Sequence, residues 1–571
     1  MTAPDPIRPD PIRPDPIRLE IIRHALVAAA EEMSITVWRT SRSSVVREIL
    51  DYSTCVFDAN GRSIAQAARM PVHLNSMPSC LADILAGPFP IEGWDEGDVI
   101  VTNDPYAGGQ HLPDIQTFKP VFVDGRLVAI AGILVHHLDV GGGAPGSYYA
   151  QATEIFHEGF RIPPLKLVER GRRNEQVIQL LLRNSREPEN VGGDFASQLA
   201  ALDVGVANLQ RLARRYGPDT LQAAADAIQD QSEAAMRRAI AAIPDGTWKF
   251  TDHVDDDGIE DRPLAVAVTL TVAGDTIAVD LAGSSPQAAG PVNCTLNMTS
   301  SAVICGVMMA IGADIPANAG CYRPITIAAP PGSVVNALSP APVANRMAIG
   351  HRVVNAVLGA FAGALPGQIP AAYYGVSYAY ALGSRRTDGQ RQVYFDLECG
   401  GWGGHPDADG AAAFSCGFHN ISSSPVEMIE ATYPVRFLRY GLAPDTGGAG
   451  FRRGGTGLER SFLLTAPEGR FAANLDRFKF APYGLEGGEP GSTGRLEVRR
   501  SGSDDWQSLP SKVAGLPLAV GDAIRLVTSG GGGWGDPAGR EAARVADDVA
   551  DGYVSAGAAG RQYGPRAAAA D

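Results

Sequence analysis

At 571 residues the chain is too long for one ordinary core, and two or three are expected. Its 48 basic and 63 acidic residues leave a net charge of −15 with no basic block, so neither nucleic acid nor an anionic membrane is expected as the main partner. Seven cysteines without a Cys-x-x-Cys pair do not suggest a disulfide framework and read as reduced, buried thiols.

In chain order, residues 1–18 carry Asp-Pro-Ile-Arg three times, at 5–8, 10–13 and 15–18, and read as a disordered, Pro-rich tail. From Leu19 the apolar positions Ile22, Leu26, Ala29, Met33 and Val37 keep helical spacing and predict a first helix. Asn60-Gly61, between the runs 53–57 and 62–66, predicts a hairpin, and further strands are expected at 98–102, 116–123 and 127–135. This makes 19–173 an α+β region. Residues 174–245, with Leu199, Leu202, Val206 and Leu209 at three- and four-residue steps, read as a helical segment used for packing. A central α/β region follows at 246–432, with alternating Val266, Val268, Leu270 and Val272 and helices expected at 299–311 and 348–363. Within it, Asp255-Asp256-Asp257 lacks the spacing of a calcium loop and reads as a solvated turn. Residues 433–540 read as short strands and turns, and 541–571 as a helix and a tail. The expected class is α+β, multidomain, with large mixed, hairpin-rich sheets and a helical insertion. The N-terminus lacks the basic-then-apolar order of a signal peptide. The most apolar helical candidate, 300–311, is too short to cross a bilayer, so a cytoplasmic protein is expected.

Three of the ten histidines fall in Gly109-Gln-His111-Leu-Pro-Asp114 and Leu134-Val-His136-His137-Leu-Asp139. Neutral imidazole with carboxylate is a ligand set for zinc, manganese or iron(II). Asp124-Gly125 is a hairpin turn signal between the two stretches, and a regular ladder from it places His136 opposite Pro113, between His111 and Asp114. One ion could then collect His111, Asp114 and His136, while His137 points to the other face. The competing reading is a set of hydrogen-bonded core histidines in a Gly-rich turn.

Other chemistries lack support. None of the five lysines follows a glycine, which excludes a P-loop, and no Gly-x-Ser-x-Gly elbow or Cys-His neighbour pair is present. Gly530–Gly533 lacks the following helix of a phosphate-binding loop and reads as a flexible turn.

Several segments in order are familiar: Thr102-Asn-Asp-Pro-Tyr-Ala-Gly-Gly-Gln-His-Leu-Pro-Asp114, His136-His-Leu-Asp-Val-Gly-Gly142, Glu158-Gly-Phe-Arg-Ile-Pro-Pro164, Gly400-Gly-Trp-Gly-Gly404 and Gly530-Gly-Gly-Gly-Trp-Gly-Asp-Pro537. From about Leu19 to Tyr563 the chain resembles the hydantoinase B family, which includes N-methylhydantoinase B subunits and the C-terminal half of 5-oxoprolinase. The resemblance implies a β-type subunit of an ATP-dependent amidohydrolase that opens a lactam or cyclic imide, such as a hydantoin or 5-oxoproline, with a metal-activated water. It implies a divalent manganese, zinc or iron ion held by His111, Asp114 and His136, with Asp51 as a fourth candidate; Tyr52 stands where the family commonly has Phe. ATP and magnesium are then bound by a hydantoinase A-type partner, in a heterotetramer or larger assembly. His137 and Asp139 are candidate catalytic groups, as orienters or proton carriers, with a structural role equally open. Asn103 and Asp104 are candidates for shaping the substrate pocket. A ketone carboxylase subunit and a non-catalytic assembly partner remain as alternatives.

Overall fold

The computed structural model describes residues 15–73, 75–312, 314–386 and 389–564. The first helix, α1 (Pro16–Thr40), starts earlier than the apolar spacing predicts, because the third Asp-Pro-Ile-Arg copy is its cap. The Asp15 carboxylate accepts from the Arg18 N–H at 3.0 Å and Pro16 takes the first helical position. The first two copies and the C-terminal tail at 567–571 lie outside the described residues.

A seven-stranded antiparallel sheet follows, built from β1 (Tyr52–Asp58), β2 (Ser63–Gln66), β3 (Val99–Thr102), β4 (Asp114–Val123), β5 (Arg126–His136), β6 (Leu165–Glu169) and β7 (Arg172–Arg173) in the order β2-β1-β5-β4-β3-β6-β7. Period-two alternation divides β5 between two faces. Ala131, Ile133 and Val135 join the core made with α1 and α4 (Pro188–Tyr216), whereas Ile130 and Leu134 pack with Met77, Leu81 and Ile84 of α2 (Ser76–Ala86). Residues 174–245 hold α3 (Glu175–Asn184), α4 and α5 (Pro218–Ile240).

The β4–β5 turn has positive φ at Asp124 (51°) and Gly125 (78°), as a two-residue hairpin turn of this type requires. One strand pair later the regular ladder fails: Phe122 pairs with Leu127 but Val121 with Ala129, so Val128 is an extra residue in β5. The bulge moves every later pair by one, and His136 lies opposite Asp114 rather than opposite Pro113.

In the rest of the chain, β8 (Gly246–Val254), β9 (Leu264–Ala273), β10 (Thr276–Asp280) and β11 (Ile325–Ala328) form a second sheet, with β10 and β11 parallel. It packs against α8 (Met347–Ala364), which also contacts α6 (Leu296–Ile311); the short α7 (Ala319–Tyr322) lies against α5. Strands β12 (Tyr378–Arg385) and β13 (Arg391–Glu398) pair into one sheet with β16 (Glu468–Asn474) and β19 (Lys512–Ala519). The last sheet holds β14 (Val435–Leu442), β15 (Leu458–Leu464), β17 (Arg495–Arg499), β18 (Trp506–Leu509) and β20 (Ala523–Val527). The boundary expected at 432/433 is therefore bridged by the β12–β16 ladder.

Two sequence readings need correction. Asp255 and Asp257 are buried, and Asp255 accepts from the N–H groups of Phe478, Lys479 and Phe480, so this run organises a packed turn. The apolar helix at 296–311 is too short for a membrane span, as expected; among the described residues Met347–Ala364 alone is long and apolar enough, and 89% of it is buried inside the protein, which makes it a core helix. Gly530–Gly533 is no flexible turn. Its residues are buried among other backbones, with Gly532 N–H donating to Ala372 at 2.9 Å and Gly533 N–H to Glu489 at 2.8 Å. A Cβ at Gly531 would collide with the Trp402 carbonyl, and one at Gly401 with the Gly455 carbonyl. Here glycine serves close approach of backbones from five separate chain segments.

Candidate metal centre

The site forms where β4 and β5 meet. Asp114 opens β4 directly across from His136 at the end of β5, and the turn His111-Leu-Pro113 brings His111 over the same face. His136 N–H donates to the Asp51 carbonyl at 3.1 Å, which ties the residue before β1 to the cluster. His111, Asp114 and His136 each present a ligand atom within 4.8 Å of the others, and all three are buried. His111 Nε2 is 3.1 Å from Asp114 Oδ1.

Apart from that 3.1 Å approach, no well-aligned hydrogen bond reaches either ring nitrogen of His111 or of His136, or Oδ1 of Asp114, despite burial. Each such atom ordinarily costs about 1–3 kcal/mol, so these three side chains form a group that could hold a cation and are not a set of satisfied core histidines. Protonation states agree. Burial pushes the His136 and His111 imidazoles below their ordinary range, so both are neutral donors at neutral pH. Burial raises Asp114, but His111 and Arg346 outweigh it and hold this carboxyl far below the usual carboxylate range. Neutral imidazole and ionised carboxylate are the forms that ligate a divalent ion.

Asp51 stands beside the triad with Oδ1 unpartnered, its carboxyl raised to about 8 by burial and by the Asp114 charge. Four contributors have no sequence signature. Arg346, at the start of α8, donates to Asp114 Oδ2 at 2.7 Å and leaves Oδ1 free. His73 places Nε2 3.9 Å from Asp51 Oδ1 and shares a hydrogen bond of 2.9 Å between Nδ1 and Ser53. Phe395 of β13 stacks on His136 at 5.6 Å, with Tyr148 edge-on to His111 at 6.0 Å. Arg346 lies more than two hundred residues from Asp114, and no local spacing relates His73 to the triad.

The structure does not bring the remaining candidates to this face. His137 points to the α4 side, 3.0 Å from Gln198 and 4.5 Å from the Phe195 ring. Asp139 accepts from the backbone of Gly141, Gly146 and Arg186 and from the Arg186 guanidinium at 3.0 Å. Asn103 spends both amide hydrogens on the Leu112 and Phe160 carbonyls and accepts from Ile162 N–H. Asp104 caps Tyr106 N–H and pairs with Arg161 at 2.8 Å. These four hold loops that frame the site.

Fold and site together define a multi-sheet α+β protein with a buried His–Asp–His group at a hairpin end that could hold a cation. The chain belongs to the hydantoinase B/oxoprolinase family, whose model matches residues 15–537. It is 34% identical over 555 residues to the caprolactamase subunit beta of Pseudomonas jessenii, covering 95% of this chain and 94% of that one. The crystal structure of the ATP-dependent caprolactamase from Pseudomonas jessenii superposes with a TM-score of 0.89 at 32% identity, covering 96% of both chains. Nucleotide-free acetone carboxylase matches with a TM-score of 0.90 over 96% of this chain and 79% of that one, but at 19% identity that likeness concerns the fold alone.

Proposed function

We propose that the chain is the β-type subunit of an ATP-dependent cyclic amidase that hydrolyses a lactam or cyclic imide. The observation that carries this is the coincidence of two facts: full-length similarity to a caprolactamase β subunit, and the fully buried, unpartnered His111–Asp114–His136 set. A divalent cation bound there supplies Lewis acidity to polarise a carbonyl and activate water near neutral pH. His111, Asp114 and His136 would hold it, with Asp51 a candidate fourth ligand. Arg346 fixes the rotamer of Asp114, and the Phe395 and Tyr148 rings orient the imidazoles and keep bulk water away. His137 and Asp139 act by position: each pins a loop or strand end behind the ligands. Asn103 and Asp104 set the course of the Gly108-Gly109 turn that delivers His111. An unstrained amide resists attack because of its resonance, and a partner of the hydantoinase A type would remove that resistance with ATP and magnesium.

The test is coexpression with such a partner and measurement of lactam-dependent ATP hydrolysis over a panel of hydantoin, 5-oxoproline and caprolactam. Turnover should require both chains, and His111→Ala should reduce it by about a hundredfold or more while the complex still assembles. Turnover by this chain alone, or metal content unchanged in His111→Ala, would sink the reading. Bicarbonate-dependent ATP use with a ketone and none with lactams would replace it by the carboxylase alternative.

A further inference from the structure

A second group of soft ligands sits in the other half of the molecule. His351 lies on α8, and Cys416 and His419 on the loop before Val426–Thr432; all three are buried, at 0%, 2% and 2% exposure. The two Nε2 atoms are 3.3 Å apart. That matches the separation of roughly 3.3 Å between two imidazole nitrogens on a tetrahedral zinc with bonds of about 2.0–2.1 Å. Cys416 Sγ is 3.8 Å from His351 Nδ1, and one ligand atom from each residue lies within 4.8 Å of the others. The sulfur faces Nδ1 of His351 while His419 faces Nε2. One cation therefore uses a single His351 nitrogen, and a side-chain rotation closes the remaining ligand.

Four further observations point the same way. Nδ1 of buried His419 has no partner. Burial lowers both imidazoles, His419 to about 3, so both are neutral. The neighbouring guanidinium groups of Arg352 and Arg477 are ion-paired with Asp476 and Asp252, so neither stands as an unpaired cation beside the site. A cavity of about 540 Å³, lined in part by Ser415, Cys416, Gly417 and Asn420, gives an entry path. Ser377 Oγ, 2.7 Å from His419 Nε2 and 3.4 Å from His351 Nε2, and the Tyr373 hydroxyl, 3.1 Å from His351 Nδ1, hydrogen-bond these imidazoles and compete with a cation for them.

We infer that His351, Cys416 and His419 form a second metal site, of thiolate–imidazole character and suited to zinc, distinct from the nitrogen–oxygen centre at His111. Binding there deprotonates the Cys416 thiol, whose proton leaves to solvent, and forms one sulfur–metal and two nitrogen–metal bonds without redox change. The site joins α8 to the 416–419 loop. Because Arg346, at the head of the same helix, holds Asp114, occupancy also steadies the first centre.

The two sites differ in donor atoms, so cobalt(II) separates them. Full-length protein stripped by chelator and titrated with cobalt(II) should bind two equivalents, one producing a near-ultraviolet thiolate-to-cobalt charge-transfer band. Cys416→Ser should lose the band and one equivalent. His111→Ala should lose the other equivalent and keep the band. Cys305→Ser, at a buried thiol nearby, should keep both, and His419→Gln gives a second route should Cys416→Ser fold poorly by circular dichroism. A single equivalent without a thiolate band in the wild type, or a band that survives Cys416→Ser, would overturn the assignment and leave a hydrogen-bonded His–Ser–Tyr cluster.

Discussion

Glu158 shows what burial does to a single residue here. Its Oε1 accepts from Ala344 N–H while Oε2 has no partner, and burial raises the carboxyl to about 8. The folded chain therefore keeps a proton that the unfolded chain releases above its ordinary 4.5, and stability falls as pH rises between those values. Glu158→Gln should raise the unfolding free energy measured in urea at the upper end of this window by about 1–2 kcal/mol, with little change at the lower end. Arg346→Met is expected to lower cation affinity about tenfold or more, read by metal titration, since Asp114 loses the donor that orients it. His111, Asp114 and His136 were legible because two of them share a His-x-x-Asp turn and the third follows a turn dipeptide. Arg346, His73 and Phe395 were not, because each reaches the site from an element whose local pattern carries no trace of its destination.

At the scale of elements, the β4–β5 hairpin decides the ligand geometry. Its strands and its Asp124-Gly125 turn follow from alternation and turn chemistry, but the bulge at Val128 does not, since a Val within an apolar run looks the same paired or unpaired. Deleting Val128 would set the β4 register against the β5–β1 register, which runs without a shift from Tyr52–Val135 to Asp58–Ala129. The expected outcome is loss of the Asp114–His136 pair, with cation binding weakened by about a hundredfold or more in a competition assay. The start of α1 teaches a related lesson. Asp-Pro-Ile-Arg repeats read as a tail by composition, yet an Asp followed by Pro just ahead of a helical stripe is also a cap, and in the third copy that local chemistry prevails.

For the whole molecule, the N-terminal sheet contributes Asp114 and His136 and the C-terminal part contributes Arg346 and Phe395, so the proposed centre is also a joint between cores. Cation binding should therefore stabilise the chain globally. At a free concentration a hundred times the dissociation constant, the gain is about 2.7 kcal/mol, to be read as a higher melting temperature than that of chelator-treated protein. The α+β class and its helical segment were readable from periodicity. The way β12 and β13 pair with β16 and β19 across 432/433 was not, because long-range pairing leaves no local periodic signal.

The glycine assembly near Trp402 bears on the order in which the chain folds. Gly401 N–H bonds to Ser529, Gly404 to Gly532 and Gly448 to Gly531, contacts that span up to more than a hundred residues and offer no side chain to nucleate them. Closing such long loops costs entropy before any hydrogen bond repays it, so these segments should join after the sheets around them have formed. Gly531→Ala would then accelerate unfolding far more than it slows refolding, giving a φ-value near zero, whereas Leu134→Ala in β5 should slow refolding as well.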